Sequence, residues 1–316
     1  MTNKNANYVC GSYMPGRNIS KEDIEKIDFK VITHVFLAFS LLEIDENGNY
    51  VPVISEPLKK GIALVLNHIK EIGADTKVLV SIGGYGAGGF CETASAKESR
   101  KAFAKKCAEI LDEHKIDGID MDWEYPTIAY EDEGVNACEN CNKDFILLME
   151  EIKDAIGESL LTAAVGSDHW YKFDLKRLNK SVDYINVMTY DMNQTAHSSM
   201  ELTKSAVEGW GNGIDRNKVV LGVPFYARCT NEKYEWKGYS ELMGLVENKT
   251  AEILYTDDQD YVVIDGNKLS IDTEKSIAKK ISYIKENGFA GIFNWQEFTD
   301  YNGSLRHAMS KINRGD

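Results

Sequence analysis

The sequence predicts an α/β fold, a (β/α)8 TIM barrel carrying a small insertion between its seventh strand and its last helix. Three observations predict it. Eight short runs rich in Val, Ile, Phe and Tyr recur along the chain, segments of helical periodicity lie between them, and 316 residues suit one barrel. The two periods alternate from the first run to the last, so residues 1–316 read as a single domain.

The strand-like runs are 8–13, 32–40, 77–83, 118–124, 161–166, 184–190, 219–226 and 291–295. Helical patterns occupy 98–114, 141–156, 200–211 and 273–287, with apolar positions recurring along one face. Asp272 or Thr273 ahead of Glu274, with Gly288 behind Asn287, marks the start and stop of the last of these. Segment 230–270 breaks the rhythm, being longer than an ordinary βα loop. It holds Tyr234, Trp236 and Tyr239, then a hairpin pattern turning at Asp265-Gly266-Asn267. It reads as a reduced insertion forming one wall of a cleft, or as a plain surface hairpin.

Hydrophobic residues at 43% and charged residues at 27% fall in the ordinary globular range, which predicts a compact chain. A net charge of −14 argues against a nucleic-acid partner, because binding phosphate polyanions relies on Lys and Arg displacing counterions. A neutral or cationic substrate fits better, although surface acidity also serves solubility. No apolar run approaches the roughly 18 residues that would span a bilayer, and Met1 to Tyr8 is polar. No membrane association is expected. The chain reads as cytoplasmic as it stands, or as secreted or extracellular if a signal peptide has been removed. A monomer is expected.

Six cysteines are present, scattered except for Cys138 and Cys141. No second CxxC and no HxxxH follows, so no metal site is expected, and a loop disulfide or two free thiols remain. The Gly-rich run 83–89 lacks the Lys-Ser/Thr of a phosphate-binding loop and reads as a rim loop; no cofactor is expected. His34, His68, His114, His169, His197 and His307 show no ligand spacing and are expected at the surface or as caps.

The most informative segment is Asp117-Gly-Ile-Asp-Met-Asp-Trp-Glu-Tyr-Pro126. Side chains alternate along a strand, so Asp120, Asp122 and Glu124 share one face while Ile119, Met121 and Trp123 share the other. The carboxylates therefore point into the barrel. Clustered acids cannot all stay ionised, so at least one keeps a proton near neutral pH. Glu124, last in the row, is best placed to protonate a leaving oxygen, its pKa raised by ionised neighbours.

Asp117-x-x-Asp120-x-Asp122-x-Glu124 resembles the DxxDxDxE signature of family 18 glycoside hydrolases, the chitinase family, including the Tyr125-Pro126 that follows. Other segments agree along nearly the whole chain. Ser81-Ile-Gly-Gly84 is similar to the SxGG of the third strand, Met188-Thr-Tyr-Asp191 to the MxYD of the sixth, Gly222 to Arg228 to the GxPFYGR of the seventh, and Trp295 to the tryptophan of the eighth.

The resemblance implies a retaining, chitinase-type hydrolase that cleaves β-1,4-linked N-acetylglucosamine polymers or oligomers by substrate-assisted catalysis. Glu124 would protonate the glycosidic oxygen while the 2-acetamido carbonyl of the substrate attacks the anomeric carbon. Asp122 would orient the acetamido N–H, and Asp120 would balance Asp122. Tyr190 would donate to the acetamido oxygen, with Asp191 and Met188 completing that pocket. Trp295 would floor the sugar. Tyr13, Phe39, Gly84, Tyr226 and Arg228 would line the walls. The expected ligand is chitin or another N-acetylglucosamine-containing oligosaccharide, with no metal.

The sequence departs from the family pattern at Ala227, where Gly is usual, and in its shortened insertion, which implies a shallower cleft. Competing readings are an endo-β-N-acetylglucosaminidase acting on N-glycans, a non-catalytic lectin on the same barrel, and a peptidoglycan-directed hydrolase. Intact Glu124 and Asp122 argue against the lectin.

Overall fold

A computed structural model describes residues 8–17, 19–126, 140–168 and 170–314, apart from the Tyr234 side chain. Among the described residues, fourteen strands run in chain order. They are β1 (Val9–Pro15), β2 (His34–Ile44), β3 (Tyr50–Val53), β4 (Lys77–Gly83), β5 (Gly118–Asp122), β6 (Leu160–Gly166) and β7 (Tyr184–Met188). There follow β8 (Val219–Pro224), β9 (Tyr226–Arg228), β10 (Trp236–Gly238), β11 (Glu252–Leu254), β12 (Asp260–Ile264), β13 (Asn267–Ile271) and β14 (Gly291–Trp295).

Eight of these, in the order β1-β2-β4-β5-β6-β7-β8-β14, pair in parallel, and β14 pairs back onto β1. The sheet is therefore a closed (β/α)8 TIM barrel without free edges among those strands. Each barrel strand feeds a helix that packs outside it, such as Glu56–Ile72 after β2, Lys97–His114 after β4 and Glu274–Asn287 after the insertion. Local chemistry sets their ends. The Thr273 side chain caps the last of these and Gly288 closes it with φ 72°, while Ser55 and Gly73 do the same for Glu56–Ile72.

Strand alternation sorts the core into two layers. Ile119, Met121 and Trp123 face the helices, where Trp123 stacks on Phe90 at 5.3 Å. The opposite face fills the barrel with a smaller cluster that includes Val9, Tyr13, Phe36, Leu79, Val220 and Phe293.

Several boundaries differ from the sequence reading. The fourth barrel strand ends at Asp122, so Glu124 lies just beyond it, and the sixth ends at Met188, leaving Tyr190 on the following turn. The run 219–226 is two elements, because the chain leaves the barrel at Pro224 and Tyr226 begins antiparallel pairing with Gly238. The second strand is longer than its run. Leu41 to Ile44 pair with β3 in a hairpin whose turn is held by Asp45 Oδ1, which accepts from the Asn47 and Asn49 amides. The insertion is a five-stranded antiparallel sheet, β10-β9-β13-β12-β11, in which the expected hairpin supplies β12 and β13.

Cys138 and His169 lie outside the described residues. Cys141 is disulfide-bonded, and its sulfur lies 3.5 Å from that of Cys91. Among the described residues no helix is long and apolar enough to cross a membrane.

Candidate active site

The carboxyl ends of the barrel strands open into a cleft of about 1100 Å³. Its lining brings together Tyr13, Phe39, Gly84, Asp122, Glu124, Met188, Tyr190, Asp191, Tyr226, Arg228 and Trp295, residues drawn from seven different barrel strands or the turns after them. Asp120 lies below the floor, fully buried.

Asp120 is held by four donors. Thr162 Oγ1 donates to Oδ1, Ser81 Oγ donates at 2.7 Å and the Tyr13 hydroxyl at 2.9 Å to Oδ2, and Asn186 Nδ2 reaches Oδ1 at 3.4 Å. These neighbours come from β1, β4, β6 and β7, all inward-facing positions of the barrel. Burial raises the Asp120 pKa, and the four bonds oppose that rise.

Asp122 sits one step higher and is less well served. Among the described residues its Oδ1 is buried without a hydrogen-bond partner. Burial first, then the charges of Glu124 and Asp120, push its pKa well above the ordinary carboxylate value. Glu124 is raised to about 7, again mainly by burial, with the Tyr125 side chain opposing and the Asp191 charge adding to the rise. The sequence reading credited ionised neighbours for this proton; desolvation is the larger cause, and Asp122 is itself driven to share it.

Tyr190 is half-buried and its hydroxyl pKa is pushed far up, through desolvation and then the charges of Asp122, Glu124, Asp191 and Asp120. It stays a neutral donor. Asp191 behaves oppositely. Burial would raise it, yet hydrogen bonds from His197, Arg228 and Tyr226 hold its carboxyl well below the usual range. Arg228 grips both oxygens, Nε at 2.6 Å and Nη2 at 3.2 Å, and the Tyr226 hydroxyl donates at 2.6 Å.

The apolar side of the cleft is an aromatic platform. Phe39 stacks on Trp295 at 5.5 Å and 24°, while Tyr13 meets Trp295 edge-on at 6.0 Å. Gly84 lies against this stack with φ 94°, and a Cβ there would come within 2.7 Å of the Phe39 ring. Cis peptide bonds join Ala38 to Phe39, Glu124 to Tyr125 and Trp295 to Gln296.

Several contributors escaped the sequence reading. Thr162 and Asn186 hold Asp120 but appear in the chain as isolated polar residues within apolar strands; that inward polarity was the available signal. Arg17 and the hairpin residues Leu41, Leu42 and Glu43 also line the cleft. Tyr85, from the run read as a rim loop, and Trp236, from the insertion read as a cleft wall, line it too, and Trp236 stacks on Tyr226 at 5.6 Å. His197, expected at the surface or as a cap, is instead fully buried beside Asp191, because the loop after β7 folds inward beneath the insertion sheet.

The sequence profile of glycosyl hydrolases family 18 matches residues 11–300, and the chain belongs to that family. It is similar to a class V chitinase of Arabidopsis thaliana, 26% identical over 92% of this chain and 86% of that one. It is also similar to chitinase A1 of Niallia circulans, 28% identical over 77% of this chain, and to an endochitinase of Brugia malayi, 25% identical over 93%. The chain spans 43% and 66% of the lengths of the last two. A family 18 N-acetylglucosaminidase from Paenibacillus barengoltzii superimposes with a TM-score of 0.79 at 25% identity, covering 97% of this chain and all of that one, 100%. A chitinase-like agglutinin from Robinia pseudoacacia shares the fold at a TM-score of 0.80 and 22% identity, covering 96% of this chain and 98% of its own.

Proposed function

We propose that this chain cleaves β-1,4-linked N-acetylglucosamine polymers or oligomers with retention, the acetamido group of the substrate acting as nucleophile and Glu124 as the acid. The observation that carries the reading is the uneven state of the cleft carboxylates. Glu124 keeps a proton to about pH 7, whereas Asp191 is ionised with both oxygens occupied by Arg228, Tyr226 and His197. Glu43 stands on the exposed hairpin. Asp122, the remaining cleft carboxylate, is pushed towards its protonated form by burial and by the charges of Glu124 and Asp120, so no ionised carboxylate stands free as a conventional nucleophile, which favours an internal one supplied by the substrate.

Glu124 donates its proton to the glycosidic oxygen as the bond to the anomeric carbon breaks. The acetamido carbonyl oxygen attacks that carbon, giving an oxazolinium ion, and the deprotonated Glu124 then takes a proton from the water that opens it. Asp122, with Oδ1 unpartnered among the described residues, accepts from the acetamido N–H and balances the positive charge. Tyr190 donates to the carbonyl oxygen, and Trp295 with Phe39 carries the apolar face of the sugar.

Glu124→Gln keeps the shape and removes the acid. Release of 4-nitrophenol from its chitobiose glycoside should fall about 10²- to 10⁴-fold, while chitin oligomers still bind. Wild-type turnover in that variant would refute the assignment. Offering the wild type an N-glycoprotein and peptidoglycan alongside chitin oligomers separates this substrate class from those of an endo-β-N-acetylglucosaminidase and a cell-wall hydrolase. Binding of oligomers without cleavage would point to a lectin, the role named for the Robinia agglutinin.

A further inference from the structure

The loop after β7 contains a histidine that the mechanism does not use. His197 is fully buried and does not line the cleft, yet its Nδ1 accepts from the Asp191 amide at 3.4 Å and lies 3.3 Å from Asp191 Oδ1. Its other ring nitrogen, Nε2, is buried and has no partner among the described residues. Burying an imidazole with one nitrogen unserved is unfavourable. A phenyl ring would fill the same space, edge-on to Tyr226 at 5.3 Å, without that cost. The hydrogen bonding that distinguishes His197 from a packing residue is therefore its bond to Asp191.

The surroundings hold this ring still. The His197 carbonyl accepts from the Met192 amide at 3.3 Å, closing the loop on itself. Ser270 of β13 receives the His197 amide at 3.4 Å and donates to the Arg228 carbonyl at 3.2 Å. The next residue, Ser198, is locked to the buried Lys280–Asp272 pair. Lys280 Nζ donates to the Ser198 carbonyl at 2.9 Å and to Asp272 at 2.7 Å, and Ser198 Oγ donates to Asp272 at 2.7 Å. Asp191 needs such support, since it stands at φ 55°, a left-handed conformation that non-glycine residues seldom adopt.

We propose that His197 is a positioning residue: through Nδ1 it hydrogen-bonds Asp191 and, braced by the insertion sheet, fixes that residue and the turn following Tyr190. This rests on the hydrolase reading above. Arg228 and Tyr226 hold Asp191 from the cleft wall, and His197 completes the grip from the core. The insertion sheet thereby acts on the chemistry through a buried contact as well as by walling the cleft.

The test compares His197→Phe, which keeps a ring without nitrogens, with His197→Asn, which keeps a hydrogen-bonding side chain without the ring. For the chitobiose nitrophenyl glycoside, His197→Phe should lower kcat by about 10- to 100-fold with KM little changed, and His197→Asn should recover most of the loss. Because His197 acts through Asp191, adding His197→Phe to Asp191→Ala should cost no further activity. Wild-type kcat in the Phe variant, an Asn variant as weak as the Phe variant, or additive losses would each overturn the proposal. If the Phe variant does not fold, His197→Ala with added imidazole decides the matter; restored kcat upholds it and no restoration overturns it. The same cycle read by urea unfolding does not depend on hydrolysis. A wild type that releases no nitrophenol refutes the hydrolase reading and the positioning role together, whereas absent coupling in unfolding shows that the bond itself is missing.

Discussion

Glu124 and Asp191 occupy one cleft and are driven in opposite directions by their surroundings. Glu124 is half-buried with little to stabilise its anion, so its proton persists to about pH 7. Asp191 is tied by Arg228, Tyr226 and His197 and stays ionised, and its charge adds to the rise at Glu124. The sign for activity follows directly. A general acid works while protonated, so kcat/KM should hold below about pH 7 and fall roughly tenfold per pH unit above it, with the apparent value belonging to the Asp122–Glu124 pair. An alkaline limb near the ordinary glutamate value of about 4.3 would contradict this. The DxDxE alternation made the acids legible in the sequence, because a period of two places them on one face whatever the fold. The weight of desolvation and the burial of His197 were not legible, since both depend on residues remote in the chain, such as Ser270 and Arg228.

At the level of elements, the turns beyond the strands do most of the shaping. Gly84 closes β4 in a conformation with φ 94° and lets the turn lie against Phe39, which in turn stacks on Trp295. Gly84→Ala adds a Cβ 2.7 Å from the Phe39 ring, so both the turn and the platform must shift. The variant should lose about 1–3 kcal/mol of stability and a larger share of kcat/KM than of folded protein, read by thermal melting beside the kinetics. Unchanged values for both would show that the platform tolerates movement. The β2–β3 hairpin was missed because its apolar residues continue the run of the second strand without a break; the turn residues Asp45 to Asn49 were the visible mark. In the insertion, β9, β10 and β11 are three residues each, too short to display a period, and β9 joins β13 through the single pair Arg228–Ser270.

Across the whole molecule, closure of the sheet from β14 to β1 gathers residues far apart in the chain at one end of the barrel. Tyr13 and Asp120 are 107 positions apart and share a hydrogen bond; Ser12 and Glu297 are 285 apart and share another. This convergence was legible, because strand-like runs alternating with helical segments leave few topologies open and place functional residues at the carboxyl ends of the strands. The inner polar lining was not, since Ser81, Thr162 and Asn186 acquire meaning only when the barrel closes around Asp120. The central claim is that the nucleophile belongs to the substrate. Rates on the 4-nitrophenyl glycosides of chitobiose and cellobiose test it most directly, because the two differ in the 2-acetamido group. The account predicts a preference for chitobiose in kcat/KM on the order of 10³ or more; comparable cleavage of both would contradict it.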